Sequence, residues 1–532
     1  MSTAPPFPRV PQPKRGWSGV IGLRASSSFY IAKFVVIVVR LVTPLCVCHV
    51  CRLFWIAQAP LSTSTSLLSQ FINVASLVET LFLVASFLRA RALAKQRLPI
   101  PFPRNERALG VGRILNYLES ASKKIKCVDP RDGTKTIPGK CHDDCCHTLL
   151  RGWNRGADWE DCDKSHAESW MSWALFSEEW ENLSSYQKEE VSGYLDKLCE
   201  ITGLSLEKVA SGGANSHKTK KVAPMRLSLD DMVWLHRPLA AYFVTDFLLG
   251  QCISPLVMWH FGYRRLRNKV ADRSDVRHWY HPGNPDVHAG KSSDERKETA
   301  DGVFMLHGVG IGYLPYLDML RKVQSATNGL PILVIEIPYI ALRAWASPDS
   351  RGPDCSAEAI ARSMRSVGME RATLVGHSFG TIIASWILRH AREHVHSAVL
   401  IDPVTLQLAR ADVAFAAIHR KPVSAADVLL EYFVFRELSL AATLARNFYW
   451  FRNILWAEDL PGGGRSVGIL SSNDAIVPSA SVRDYLIDKG VDHVWLEGLG
   501  HAGFLKRPAV VDGIVEQIRM RGQMRSGGKK VD

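Results

Sequence analysis

Apolar positions in this chain follow two rhythms. Near the N-terminus they form long runs. "FYIAKFVVIVVRLVTPLCVCHVC" (Phe29 to Cys51) and "FINVASLVETLFLVASFL" (Phe71 to Leu88) both fall within the roughly 17–25 residues of a bilayer-spanning helix. Lys33, Arg40 and His49 interrupt the first run and Glu79 the second. Arg40 and Glu79 lie near the middle of their segments, so the pattern predicts a packed helical hairpin in which they pair, because a charge at that depth needs a partner. A third apolar stretch, Pro238 to Phe261, contains Asp246, Gln251 and Pro255 and reads as a monotopic or cap-like helix pair. Between these stretches, Trp153 to Cys199 is helical in pattern and rich in Trp and acid.

The rhythm changes after the polar run "NPDVHAGKSSDERKETAD". Short apolar runs, "GVFML", "PILVIEI", "ATLVGHS", "SAVLID", "RSVGILSS" and "DHVWLEG", alternate with amphipathic stretches and are bounded by Gly, Pro or Asp. Such alternation predicts a mostly parallel sheet with helices on its faces.

Charge adds a direction to this picture. The net charge of +13 over 532 residues is spread out, and its densest groups flank the apolar runs: Arg9, Lys14, Arg15 and Arg24 before the first, Arg89, Arg91, Lys95 and Arg97 after the second. That placement points to an anionic membrane face rather than to nucleic acid. The linker "AQAPLSTSTS" is uncharged, so the positive-inside rule puts both ends of the hairpin, and the rest of the chain, in the cytosol. The basic arm is long and no small-residue cleavage site follows the first run, so no cleaved signal peptide is expected. Eleven cysteines, three of them (Cys46, Cys48, Cys51) inside an apolar run, argue against a secreted disulfide framework. Cys141, His142, Cys145, Cys146 and His147, with Cys162 and His166 later, lack the paired C-x-x-C spacing of a zinc site and read as a surface loop. No metal is expected.

Four strand ends carry chemistry. In "ATLVGHSFGTIIASWILRH" a strand ends at His377 and a helix starts near Phe379, with Ser378 on the turn and Gly376 and Gly380 relieving collisions around it. This is the form of a nucleophile elbow. In "FMLHGVGIGYLPY" the loop His307 to Gly310 follows a strand, and the amides of Val309 and Phe379 are the expected oxyanion hole. The G-x-G-x-G spacing lacks the Walker lysine and the dinucleotide pattern, so a phosphate loop is not expected. In "VGILSSNDAIVP" Asp474 ends a strand and is the expected acid of a triad. Asp402, in "AVLIDPV", competes with it and is read instead as a turn former before Pro403. In "VWLEGLGHAGFL" His501 follows the last strand and is the expected general base. The chain order Ser378, Asp474, His501 matches the α/β-hydrolase arrangement.

Through "HRPLAAYF", "RHWYHPG", "HGVGIGYLPYL", "GHSFGT", "IDPV", "HRKPVSAADVLLEYFVFREL" and "NFYWFRNILWAEDL", the chain resembles membrane-anchored fungal α/β-hydrolases, most specifically over Ile418 to Leu460. The resemblance implies N-terminal membrane helices, a helical lid between Asp402 and Arg465, and a triad on Ser378, Asp474 and His501. The expected organisation is a disordered basic arm (1–28), two transmembrane helices (29–97), a helical membrane-proximal region (98–268) and an α/β-hydrolase domain (269–525) with a lid at about 404–462. The polar insertion near 285–300 falls where the first sheet strands are expected. Phe433, Phe435, Phe448, Tyr449, Trp450, Phe451 and Trp456 crowd the lid; most are read as packing, the rest as lining an acyl pocket or meeting the bilayer interface.

The function these features predict is a membrane-bound serine hydrolase acting on an ester of a lipid or other apolar metabolite, with no cofactor. An acyltransferase using the same serine and a catalytically silent membrane scaffold are the alternatives. A serine at the elbow speaks against epoxide hydrolase or dehalogenase chemistry, which uses a carboxylate nucleophile.

Overall fold

The computed structural model describes residues 27–56, 66–96, 102–124, 152–155, 164–202, 206, 223–266, 277–284, 299–346 and 353–524. The basic arm up to residue 26, the linker 57–65, the group Cys141, His142, Cys145, Cys146, His147 and Cys162, and the insertion 285–298 lie outside the described residues. The six cysteines within the described residues, including Cys46, Cys48 and Cys51, are free thiols.

The two long apolar runs form helices α1 (Ser27–Ile56) and α2 (Leu67–Lys95). Helices α3 (Arg104–Lys124), α4 (Lys164–Phe176) and α5 (Ser185–Thr202) follow. The third apolar stretch is one helix, α6 (Leu239–His260), and not the expected pair. It survives its polar breaks by widening: Phe243–Ile253 is π-helical. Pro255 has no N–H to give to the carbonyl five residues back, and Gly250 O accepts from Arg277 Nη1 at 3.3 Å instead. Gly250 also lets the chain pass close to Arg343, whose guanidinium would lie 1.9 Å from an added Cβ.

α1, α2 and α6 are long and apolar enough to cross a membrane. The expected Arg40–Glu79 pair does not form. Arg40 is exposed, whereas buried Glu79 accepts from Thr43 Oγ1 at 2.5 Å and from the Leu239 N–H at 2.8 Å, with His236 Nε2 at 3.3 Å. The reason is local. Leu239 opens α6, and the first amides of a helix are unpaired donors at the positive end of its dipole. A carboxylate placed there serves as their acceptor.

Eight strands form one sheet in the order β1-β2-β4-β3-β5-β6-β7-β8. They are β1 (Arg264–Leu266), β2 (Arg277–His281), β3 (Gly302–Leu306), β4 (Ile332–Glu336), β5 (Ala372–His377), β6 (Val395–Ile401), β7 (Ser466–Ser471) and β8 (Asp492–Leu496). The six short runs are β3 to β8, all parallel to their neighbours among themselves. β1 and β2 are antiparallel and precede the polar insertion. The sheet therefore begins at Arg264, inside the segment assigned above to the helical region. Helices α7 (Leu317–Ala326), α8 (Pro353–Ser366), α9 (Gly380–His390), α14 (Ser479–Asp488) and α15 (Pro508–Gln523) connect or follow the central strands. Between β6 and β7 lie α10 (Asp412–Ile418), α11 (Ala425–Leu430), α12 (Leu438–Arg446) and α13 (Trp450–Asn453), with a π-helical continuation of α11 over Glu431–Phe435.

Alternation along each strand divides the core. Phe304, Leu306, Leu333 and Ile335 face one layer, and Val303, Met305, Ile332 and Val334 face the other. The first layer continues into the helices between β6 and β7 and into α3 to α5. Phe451 stacks on Phe102 at 4.0 Å, and Trp450 Nε1 donates to Ala174 O at 2.8 Å.

Replacing Glu79 by Leu leaves the Leu239 N–H and His236 without this acceptor, a loss of about 1–3 kcal/mol per buried unsatisfied group. Glu79→Leu is expected to lower the thermal unfolding midpoint in detergent, and Arg40→Leu, Glu79→Leu to lower it equally. Recovery in the double variant would reinstate the Arg40 pair.

Candidate active site

β5 and α9 meet at Ser378, which holds φ = 52°, a left-handed conformation that is uncommon for a residue with a side chain. Close packing enforces it. The start of α9 lies against the end of β3 so tightly that a Cβ on Gly380 would sit 2.5 Å from Leu306 O. The turn is tied down on its other sides. The Ser378 N–H donates to Ile401 O at 3.0 Å, and Thr381 Oγ1 donates to Ser378 O at 2.6 Å.

The three expected residues come together. His501 Nε2 lies 2.8 Å from Ser378 Oγ, and His501 Nδ1 lies 2.7 Å from Asp474 Oδ2. The other oxygen of Asp474 accepts the N–H groups of Ile476 at 2.7 Å and Val477 at 2.9 Å, which fixes the carboxylate. Burial alone would lower the His501 pKa. The hydrogen bond and charge of Asp474, with the charge of Asp402 added, outweigh it and hold the imidazole above its usual value. This arrangement can pass a proton from a hydroxyl to an imidazole whose second nitrogen is held by a carboxylate.

Asp402 is more than a turn former. It is fully buried at φ = 42°. Its Oδ1 accepts the Ser471 N–H at 3.0 Å and its Oδ2 the Ala502 N–H at 2.9 Å. It therefore joins the end of β7 to the loop that carries His501 without touching Nδ1 of that histidine. Asp402, Asp474 and His501 approach one another closely enough to hold a metal ion. Every carboxylate oxygen among them already accepts a hydrogen bond, however.

A second polar chain lies beneath the first. The Gly308 N–H donates to Tyr316 Oη at 3.0 Å, and Tyr316 Oη lies 2.6 Å from His377 Nδ1. Burial pushes the His377 pKa down and the Tyr316 pKa up, so a phenol donates to a neutral imidazole. The opposite ring nitrogen of His377 faces Asp402 Oδ2 at 3.8 Å. His307 closes the other side of the glycine loop, accepting from the Ile337 N–H at 2.9 Å through Nε2. The sequence shows the histidines of this set but no cue to Tyr316, eight residues beyond Gly308.

Val309, Phe379, Ser378 and His501 share a cavity of about 380 Å³. Among the described residues neither the Val309 nor the Phe379 amide donates to a backbone carbonyl. The aromatics between β6 and β7 divide: Phe435 and Phe448 line the cavity, while Tyr449, Trp450 and Phe451 are buried in the packing.

Residues 303–513 match the model of the alpha/beta hydrolase family, and the sheet with its flanking helices is an α/β-hydrolase domain. No curated protein matches the chain significantly. Among solved structures, the chain is similar to a membrane phospholipase A described as a bacterial virulence factor (20% identity, 52% of this chain and 95% of that one, TM-score 0.33). It is also similar to a hydrolase from Bacillus subtilis (14%, 52% and 97%, TM-score 0.37) and to naproxen esterase from the same organism (14%, 52% and 96%, TM-score 0.34).

Asp402→Ala removes the acceptor of two buried amides, at about 1–3 kcal/mol each. The unfolding midpoint is expected to fall by several degrees, against little change for Asp412→Asn at a partly exposed ion pair. An unchanged midpoint in Asp402→Ala would return Asp402 to a turn-forming role alone.

Proposed function

We propose that the protein is a membrane-bound serine hydrolase that cleaves an ester of a lipid or another apolar metabolite through an acyl-serine intermediate. The observation that carries this reading is the hydrogen-bonded series Ser378, His501, Asp474 at the floor of a largely apolar cavity. His501 Nε2 takes the Ser378 proton as Oγ attacks the ester carbonyl. The oxyanion forms against the amides of Val309 and Phe379, donors typically worth about 3–4 kcal/mol each to the transition state. Collapse expels the alcohol, which takes the proton from His501. Water, deprotonated by the same imidazole, then releases the acid and regenerates Ser378. Throughout, Asp474 holds the Nδ1 proton and the tautomer.

Three long apolar helices on one chain support the membrane part of the reading. The basic residues flanking the first two apolar runs, Arg24 on one side and Arg89, Arg91 and Lys95 on the other, favour a cytosolic catalytic domain.

Fluorophosphonate labelling of membranes bearing the full chain tests the nucleophile. Labelling is expected in the wild type, none in Ser378→Ala, and strongly reduced labelling in Asp474→Asn and His501→Ala. A folded wild type that never labels would shift the reading to a silent scaffold. The base works only when neutral, and its pKa is raised. Activity should therefore climb with pH through an apparent value above 6.5, seen as the acid limb of kcat/KM for a p-nitrophenyl ester. A limb below that value would remove the Asp474 effect on His501.

A further inference from the structure

Helix α11 turns two faces to two partners. Val428, with Ala425 beside it, packs against Phe29, Ala32 and Val36 of α1. Ala426, Asp427, Leu430 and Glu431 line the cavity over Ser378. At 3.6 residues per turn these two sets are centred roughly 160° apart on the helix. α11 is therefore a partition one helix thick, with an apolar membrane-length helix on one side and the catalytic cavity on the other.

The partition is fastened at both ends. Ser424 Oγ accepts the Asp427 N–H at 3.1 Å in a capping box. Arg420 bridges Asp427 Oδ1 at 3.0 Å and Ala475 O at 3.1 Å, one residue from Asp474. Beyond the π turn, Tyr432 Oη donates to His236 O at 3.1 Å. Along its length α11 rests on α1 through the apolar patch around Val428.

The level of this contact in a bilayer follows from length and charge. α1 has 30 residues, about 45 Å of helix against a hydrocarbon core of about 30 Å, so roughly ten residues project beyond the core. The contact uses its first ten residues, and Lys33 on α1 and Lys421 at the cavity wall lie at this end. Two lysines beside exposed Val423, Leu429 and Leu430 suit the anionic headgroup region, with apolar side chains directed into the acyl boundary.

We propose that α1 is a working part of the substrate site: through α11 it sets the opening by which a long-chain ester resident in the bilayer reaches Ser378. The substrate class is then a membrane lipid ester taken laterally from the bilayer, and a small water-soluble ester does not need the opening. This rests on the serine hydrolase reading above.

The test uses the full chain in phosphatidylcholine and phosphatidylserine vesicles. Phe29→Ala, Val428→Ala empties the contact without touching a cavity residue. Phe54→Ala, exposed near the other end of α1, is the control. The probes are 4-methylumbelliferyl oleate dissolved in the bilayer and p-nitrophenyl acetate in the water. The double variant is expected to lose about tenfold or more in oleate turnover. Its acetate turnover and fluorophosphonate labelling should stay within about twofold of wild type, as should every reading for Phe54→Ala. Unchanged oleate turnover, or equal loss on both probes, would overturn the proposal. A wild type that turns over neither probe and takes no fluorophosphonate would instead overturn the hydrolase reading, and this inference with it.

Discussion

One steric contact organises the catalytic end of the sheet: the approach of the first turn of α9 to the last carbonyls of β3. Only glycine at 380 permits it, with an added Cβ 2.5 Å from Leu306 O. Because the helix starts so close to the strand, the connecting residue must turn through a left-handed conformation, and Ser378 is that residue. Its hydroxyl is thereby presented above the sheet rather than along it. The loops after β3, β6, β7 and β8 supply the groups that surround it.

Those loops are held from below. Asp402 carries the amides of Ser471 and Ala502, and the Gly308, Tyr316, His377 series runs from the glycine loop to the base of the elbow. Buried polar groups are costly unless satisfied, and the two amides that Asp402 accepts belong to two other loops. Displacing one loop would leave the donor on another unpaired. The site is rigid because its second layer is polar, buried and shared.

Legibility in the sequence follows how local each cause is. β3 to β7 are readable because they are buried on both faces and appear as unbroken apolar runs, and β8, at the sheet edge and half-buried, from its short apolar run between Asp492 and Gly498. β1, "RRL", has no such run; its pairing with β2 is set by the neighbouring strand. Ser378, Asp474 and His501 were nameable from strand ends and chain order, and the structure brings them within hydrogen-bond reach. Tyr316 and the true partners of Glu79 were not. Glu79 meets a helix start 160 residues away, and no periodicity encodes that. The stretch 238–261 reads as a helix pair because Asp246, Gln251 and Pro255 break its apolar run, whereas π widening and an arginine from β2 absorb the break at Pro255.

The segment between β6 and β7 is packed against residues that come before the sheet in the chain. Phe102 stacks on Phe451, and Ala174 receives Trp450, while the recognisable family segment spans only 303–513. The core and the family match thus have different boundaries. Side chains of the upstream helices share one apolar cluster with those of the matched segment. A substitution at Phe102 accordingly reaches the helices between β6 and β7, although more than 300 residues of sequence separate it from Phe451.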